Sequence, residues 1–512
     1  MNRLSSAATT LLGEPETWVT TASVRPTKKV ASPLSGDTNL TVPVCDPADI
    51  ELAASRARAA QKRWAETPVR DRAKNIKDFS TLVWTYEKEL LDLVQGENGK
   101  ARSHAFEELS DVAMTASYYA KNAAKFLESR RVPGVLPVLT RTTVHHHPRG
   151  VVGVISPWNY PLTLAVSDAV PALLAGNAIV LKPDSQTPLC ALAAKKILVE
   201  AGLDPDLFQV VTGPGSAVGS TLIENSDYLM FTGSTKVGRD LATQAGKRLI
   251  PFSAELGGKN PLIVLEDAPL ARAVKSAVKS VTSNSGQLCI SIERIYVEDK
   301  IWDRFVPAFV RAMKKVKVGA GYSWKEGMGP LISESQLATI QSHVDDAVEK
   351  GATVLAGGRL LPKVSATAYA PTVLTGITEN MLVAKEETFG PVVSLYRVND
   401  AEAAIELAND TEYGLNASLW TSTGRGARLA KRIKAGTVNV NDGYIAAWAS
   451  ISAPMGGMKA SGVGRRHGSE GILKYTEAQT VATSLIHPIQ APGPIGEKTW
   501  STIMKTFIKL GK

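Results

Sequence analysis

The sequence predicts an α/β fold with two successive parallel-sheet units, and three observations carry that reading. At 512 residues the chain is too long for one hydrophobic core, so two or three domains are expected. From Gly150 onward, short runs of Val, Ile and Leu alternate with helical stretches, as in a parallel sheet covered on both faces. A second alternation of the same kind runs over residues 261–436.

Taken in order, residues 1–37 are rich in Ser, Thr and Ala and are expected to be a loosely ordered lead-in, without the apolar core of a signal peptide. Residues 47–129 have few glycines and many Ala, Leu, Lys and Glu, which predicts helices. Pro133-Gly134 ends them, and residues 138–147 alternate like a strand. Residues 151–155, 178–181, 208–211 and 228–231 read as strands. Between them, 162–174, 189–200 and 217–223 read as helices. The second unit has strands near 263–264 and 295–297 and helices over 271–281 and 302–316. The Gly- and Ser-rich stretch 455–464 is expected to fold back on the first unit. At the C-terminus, Trp500, Ile503, Met504, Phe507 and Leu510 share one helical face, with lysines toward the other. Such a tail docks on protein or rests on a membrane surface.

The formal charge of +9 is spread along the chain, so no nucleic-acid partner is expected. The three cysteines (Cys45, Cys190, Cys289) lack CxxC spacing, which argues against a disulfide scaffold or zinc site and fits a reducing compartment. No run is long enough to span a bilayer, and a cytoplasmic protein is expected. His145-His146-His147 invites a metal reading. On a strand, however, His146 points away from its neighbours and no carboxylate or cysteine lies close in sequence, so no metal site is expected.

Chemistry gathers where the strands end. Cys289 follows Gly286, which permits a tight turn, and has no acidic neighbour to oppose a thiolate. Glu255, in a glycine-turned segment of its own, is a candidate general base. The first strand runs into Ser156-Pro157-Trp158-Asn159-Tyr160-Pro161, where the Asn159 amide is a neutral donor able to hold an oxyanion. The next runs into Lys182-Pro183-Asp184-Ser185, where a lysine can meet a ribose hydroxyl or phosphate. The fourth runs into Phe231-Thr232-Gly233-Ser234, whose glycine and following helix amides suit a pyrophosphate. Each feature also has a structural reading: a buried cysteine, a turn asparagine, a surface lysine.

Together these pieces resemble the aldehyde dehydrogenase superfamily over roughly residues 37–482. The motifs are Pro157-Trp158-Asn159-Tyr160-Pro161, Phe231-Thr232-Gly233-Ser234, Glu255-Leu256-Gly257-Gly258-Lys259, Gly286-Gln287-Leu288-Cys289, Glu386-Glu387-Thr388-Phe389-Gly390-Pro391 and Pro454-Met455-Gly456-Gly457-Met458-Lys459-Ala460-Ser461-Gly462, in the family's order. The resemblance implies a Rossmann-type cofactor domain (residues 38–257, with 455–480 folding back), an α/β catalytic domain (258–454) and a β-strand oligomerisation arm (130–148 and 481–486). A homodimer or homotetramer is implied. It also implies oxidation of an aldehyde through a thioester on Cys289, with Asn159 and the Cys289 N–H holding the oxyanion and Glu255 activating water. Trp158, Lys182, Ser185, Gly215, Gly233, Ser234, Glu387 and Phe389 would contact the cofactor, and Glu477 is either a relay for protons from Glu255 or a member of a surface ion pair.

NAD-preferring members commonly carry a glutamate three residues after the lysine. This chain has Ser185 there, so NADP is expected to be preferred, with NAD possible and Asp184 as the complication. Overall likeness points to the actinobacterial branch labelled NADP-dependent succinate-semialdehyde dehydrogenase, on Lys182 to Pro188, Gln287 to Arg294 and Gly464-Arg465-Arg466-His467-Gly468. Better-studied members of that type hold the substrate carboxylate with an arginine six residues before the nucleophile, where this chain has Ser283. Leu288, Ile290 and Trp448 can instead line an apolar tunnel for an aliphatic or aromatic aldehyde. A catalytically silent relative is the non-enzyme alternative, and the presence of both thiol and base argues against it.

Overall fold

The computed structural model describes residues 3–134, 140–484, 491 and 493–510. A six-stranded sheet has the order Gly462–Val463, Phe252–Glu255, Tyr228–Thr232, Val151–Ile155, Ala178–Lys182, Phe208–Val210. All neighbours are parallel except the edge strand Gly462–Val463, which pairs antiparallel with Phe252–Glu255. The chain starts at Val151–Ile155, moves outward through the next two strands, then crosses back to Tyr228–Thr232. That reversal makes a switch point beside Val151–Ile155, and crevices open at the carboxyl ends of strands flanking such a point. Strands 151–154, 178–182 and 228–232 are buried throughout, as continuous apolar runs demand.

A seven-stranded sheet follows, in the order Thr353–Ala356, Thr372–Thr375, Val392–Val398, Ile292–Glu298, Asn260–Val264, Asn416–Trp420, Thr437–Val440, parallel except for the first pair. A separate antiparallel sheet joins Thr476–Ser484, Thr140–Pro148 and Arg130–Val132. Residues 477–484 are exposed, so this sheet presents an open edge. Val138 and residues 485–486, expected in the same arm, lie outside the described residues.

The described residues before Thr38 depart from expectation. Arg3–Leu12 is a helix whose Leu4, Ala7, Ala8, Leu11 and Leu12 are buried. Their i, i+3, i+4 spacing is an amphipathic stripe hidden in a Ser/Thr-rich composition. A Cβ at Gly96 would lie 2.6 Å from that of Leu4, so the helix seats closely on Glu87–Asn98. Thr27–Ser32 then pairs with Gly36–Pro43. The helix expected over 162–174 is two pieces, Thr163–Val166 and Ala169–Leu174. Pro171 has no N–H to offer the Ser167 carbonyl, and the break exposes the Asp168 carboxylate to partners described below.

Candidate active site

Cys289 sits just beyond the carboxyl end of the helix Leu270–Thr282, after a turn stapled from several sides. Asn284, Ser285 and Gly286 all have positive φ (49°, 59° and 71°). At Gly286 only glycine fits, since a Cβ would lie 2.0 Å from the Gly390 carbonyl oxygen. The two left-handed non-glycine residues persist because their side chains are locked. Asn284 Nδ2 donates to the carbonyls of Asn159 (2.8 Å) and Gln287 (3.0 Å), and Ser285 Oγ donates to that of Gly329 (2.8 Å).

The loop after Val151–Ile155 is held against this turn. Asn159 Nδ2 donates to the Gln287 carbonyl at 3.1 Å, which places the amide beside the nucleophile turn. The Asn159 carbonyl is itself clamped by Lys100 Nζ at 2.8 Å, in addition to Asn284. Lys100 is fully buried, pairs with Glu108 Oε2 at 2.7 Å and lies 3.7 Å from the Tyr160 ring centroid. Glu108 Oε1 accepts from the N–H groups of Leu162 and Thr163 (2.6 and 2.9 Å). Sequence reading missed this clamp. Its one signal was a lysine and a glutamate eight residues apart in an otherwise helical stretch.

Two cavities meet at Asn159 and Cys289. One, of about 280 Å³, is lined by Trp158, Thr232, Gly233, Ser234, Glu255, Glu387 and Phe389 among others. The other, of about 50 Å³, is lined by Tyr160, Leu164, Leu288, Ile290, Tyr444, Trp448 and Met455, with Glu107, Asp111, Arg466 and His467 among its polar members. Burial pushes the Cys289 thiol up to about 12, with Glu387 and Glu255 adding to the shift and Arg466 opposing it. Burial also lifts Glu255 to about 7 and Glu387 to about 8. Glu387 Oε1 accepts from the Gly258 N–H at 2.8 Å, and Trp158 and Phe389 meet edge-on at 5.5 Å.

The expected cofactor residues fall into two groups. Trp158, Gly233, Ser234, Glu387 and Phe389 share the larger cavity with Cys289 and Glu255. Lys182, Ser185 and Gly215 cluster at the ends of the neighbouring strands: a Cβ on Gly215 would lie 4.0 Å from Lys182 Cε, and Ser185 Oγ donates to the Gly213 carbonyl at 2.8 Å. Both groups lie at the carboxyl edge of the sheet, where two helices begin, Gly215–Glu224 and Thr235–Lys247, the second capped by Ser234. Two glycine-flanked helix N-termini beside an open cavity fit a dinucleotide, whose phosphates those amides would hold. Asp184 is turned onto its own loop, accepting from the Gln186 N–H at 2.9 Å.

Glu477 lies exposed on the arm sheet and pairs with Arg149, so its contacts are those of a surface ion pair and none is with Glu255. Ser283 lies 2.7 Å from Tyr444 Oη, which also contacts Glu107 Oε2 at 3.1 Å. Glu107 in turn pairs with Lys279 at 2.7 Å. The histidine run is a strand surface, with His145 and His147 rings 6.4 Å apart on one side and His146 facing Thr476.

The family model described as "Aldehyde dehydrogenase family" matches residues 18–481. The chain belongs to the aldehyde dehydrogenase family. It is therefore an oxidoreductase acting on aldehydes. A protein of Mycolicibacterium smegmatis provisionally named succinate-semialdehyde dehydrogenase [NADP(+)] is 54% identical over 95% of this chain and 94% of its own. Glutarate-semialdehyde dehydrogenase of Pseudomonas putida is 37% identical over 90% of this chain and 95% of its own. Among solved structures, an Escherichia coli NADP-dependent enzyme superposes with TM-score 0.87 at 35% identity, covering 91% of this aldehyde dehydrogenase and 97% of that chain. Betaine aldehyde dehydrogenase of Staphylococcus aureus, in complex with NAD+, does so with TM-score 0.89 at 30% identity over 95% and 99%. Among the described residues no helix is long and apolar enough to cross a membrane.

Proposed function

We propose that this aldehyde dehydrogenase oxidises succinate semialdehyde to succinate, with NADP preferred over NAD. The observation that carries the chemistry is the meeting of the two cavities at Cys289, with Glu255 on one side and the Asn159 amide at the junction. Cys289, as thiolate, adds to the aldehyde carbon. The Asn159 amide and the Cys289 N–H stabilise the oxyanion that forms. NADP, when bound, supplies the hydride acceptor, and Trp158, Lys182, Ser185, Gly215, Gly233, Ser234, Glu387 and Phe389 would hold it. Glu255 then takes a proton from the water that attacks the thioester carbon, which returns Cys289 and releases the acid.

The substrate assignment draws on the names of the mycobacterial and pseudomonad relatives, both semialdehyde dehydrogenases. The NADP preference draws on Ser185, a hydroxyl where a carboxylate would repel a 2′-phosphate, and on Asp184 being occupied within its own turn. A second reading is favoured by the smaller cavity, whose walls at Tyr160, Leu288, Ile290, Trp448 and Met455 are apolar. It assigns a medium or long aliphatic or aromatic aldehyde as substrate. Absorbance of the reduced cofactor separates the readings, measured with NADP and NAD against succinate semialdehyde, pentanal and benzaldehyde, for the wild type and Cys289→Ala. Succinate semialdehyde with NADP should give the highest kcat/KM. Pentanal or benzaldehyde in first place establishes the second reading, and full activity in Cys289→Ala removes both.

We further assign residues 38–257 with 455–480 to the cofactor-binding half and 258–454 to the catalytic half. We propose a cytoplasmic location, which the three free cysteines support. We infer a homodimer or homotetramer joined through the exposed edge of the arm sheet, and the open edge supports that reading.

A further inference from the structure

One charged cluster beside the nucleophile has no part in the reaction as described so far. The segment 455–467 forms a hairpin over the ends of the six-stranded sheet. Met455 and Arg466 bridge through both backbone bonds (2.8 and 2.7 Å), while Gly462 and Val463 pair with Glu255 and Ala254. Arg466 is thereby laid across the strand ends. One of its Nη atoms donates to Thr232 Oγ1 at 2.8 Å, and Thr232 is the register partner of Glu255 on the adjacent strand. Adjacent strands lie about 4.8 Å apart, so the guanidinium is held one strand away from Glu255. Arg466 also lines the smaller cavity together with Cys289.

The same Arg466 nitrogen pairs with Asp168 Oδ2 at 2.7 Å, and Asp168 is shared. Its Oδ1 takes Lys474 Nζ at 2.9 Å and Tyr475 Oη at 3.0 Å. The three side chains are 12%, 3% and 11% exposed. One carboxylate between two cations leaves one net positive charge in a largely dry place. The Arg466 Nε–H, moreover, is buried without a partner. The remaining charged and titratable groups around Cys289 are mostly acidic or neutral: Glu255 and Glu387 on the cofactor side, and Glu107, Asp111, Tyr160, Tyr444 and His467 on the other.

We propose that the Asp168–Arg466–Lys474 trio is a positioning device for the reaction, its surplus positive charge favouring the ionised forms of Cys289 and Glu255 in a site that otherwise disfavours both. This rests on Cys289 being the nucleophile. The direction of the charge effects agrees. Burial opposes ionisation at each site, while Arg466 favours the charged form of both Cys289 and Glu255, and Lys474 that of Glu255. Although burial works against it, Asp168 is held well below the usual carboxylate range by Arg466 and Lys474, so its carboxylate stays charged across the working pH range.

The test is the pH dependence of iodoacetamide alkylation of Cys289, followed on its peptide by mass spectrometry, in the wild type, Arg466→Met, Arg466→Lys, Lys474→Met and Asp168→Asn. One pKa unit is a tenfold change in thiolate at fixed pH below the inflection. Arg466→Met should shift the inflection up by about one unit and slow alkylation at pH 7.5 about tenfold, with Arg466→Lys restoring most of the rate. Asp168→Asn should shift it the other way, because it removes the anion and leaves both cations. Lys474→Met should act like Arg466→Met, more weakly, and substitutes for it should that variant not fold. An Arg466→Met or Lys474→Met inflection coinciding with wild type overturns the proposal. So does slowing in Asp168→Asn, which would mark mere loss of packing. The underlying reading fails separately and visibly if complete alkylation of Cys289 leaves turnover intact.

Discussion

Replacing Lys100 by Met should separate the stability of this enzyme from its chemistry. Lys100 and Glu108 are both fully buried, 2.7 Å apart, and Lys100 also holds the Asn159 carbonyl at 2.8 Å. Burial pulls the lysine's pKa down and Glu108 works against that, so the pair exists only because each charge meets the other. Methionine fills most of the volume but leaves Glu108 with two backbone N–H groups and no counter-ion. Removing one member of a buried pair costs about 3–5 kcal/mol. Glu108→Gln in the same background removes the stranded charge and should recover at least half of that cost. The Asn159 carbonyl, however, keeps only its asparagine donors in both variants. Loss of one oxyanion donor costs about 10²–10³ in kcat, and a loosened donor should cost less, about 10–100-fold, with KM little changed. Denaturant unfolding at matched protein concentration and steady-state kinetics of the single and double variants are the assays. The reasoning fails if Lys100→Met unfolds within about 1 kcal/mol of wild type. It fails equally if kcat recovers together with stability in the double variant.

Other outcomes follow from the same geometry. Ser185→Glu places a carboxylate at the ribose end of the cofactor groove and should lower kcat/KM for NADP about 10–100-fold while leaving NAD within a few-fold, read from initial rates with each cofactor. Glu255, lifted to about 7 by burial, must lose its proton to act, so thioester hydrolysis in single turnover should rise as pH climbs through about 7 and level off above it. Glu255→Gln should slow that step about 10²–10⁴-fold and abolish its pH dependence. The same raised pKa means that the folded state binds the extra proton. Stability attributable to Glu255 is therefore whole below its ordinary 4.5 and lost as pH rises to about 7, so Glu255→Gln should unfold later than wild type at pH 8. Cys45 and Cys190 are buried and position 291 is serine. Peroxide treatment should therefore leave Cys289 unbridged in peptide maps.

The strands and their terminal motifs were legible because parallel strands are continuous apolar runs and their carboxyl ends carry glycine, proline and polar residues. Placing Asn159, Gly233, Glu255 and Cys289, far apart in sequence, in one site rested on their motifs occurring in the order of the family that the chain resembles. The parts that were not legible depend on long-range pairing. Nothing local in Lys100 or Glu108 says that they meet in the core, or that the lysine reaches the Asn159 carbonyl. Arg466 stood in a quoted motif, yet its role depends on Asp168, nearly three hundred residues away, being freed by the helix break before Pro171. For Glu477 two readings, relay and surface ion pair, stood side by side, and only its place on the arm sheet beside Arg149 separates them. The helix Arg3–Leu12 was hidden by composition, since five buried positions among Ser and Thr form a stripe only when spacing is weighed over content.

The most direct measurement is the intact mass of the Glu255→Gln enzyme quenched during turnover of succinate semialdehyde with NADP. An adduct equal to the acyl group, mapped to Cys289 and absent in Cys289→Ala, is the expected result. An unmodified Cys289 peptide throughout turnover, with aldehyde oxidation persisting in Cys289→Ala, contradicts the account.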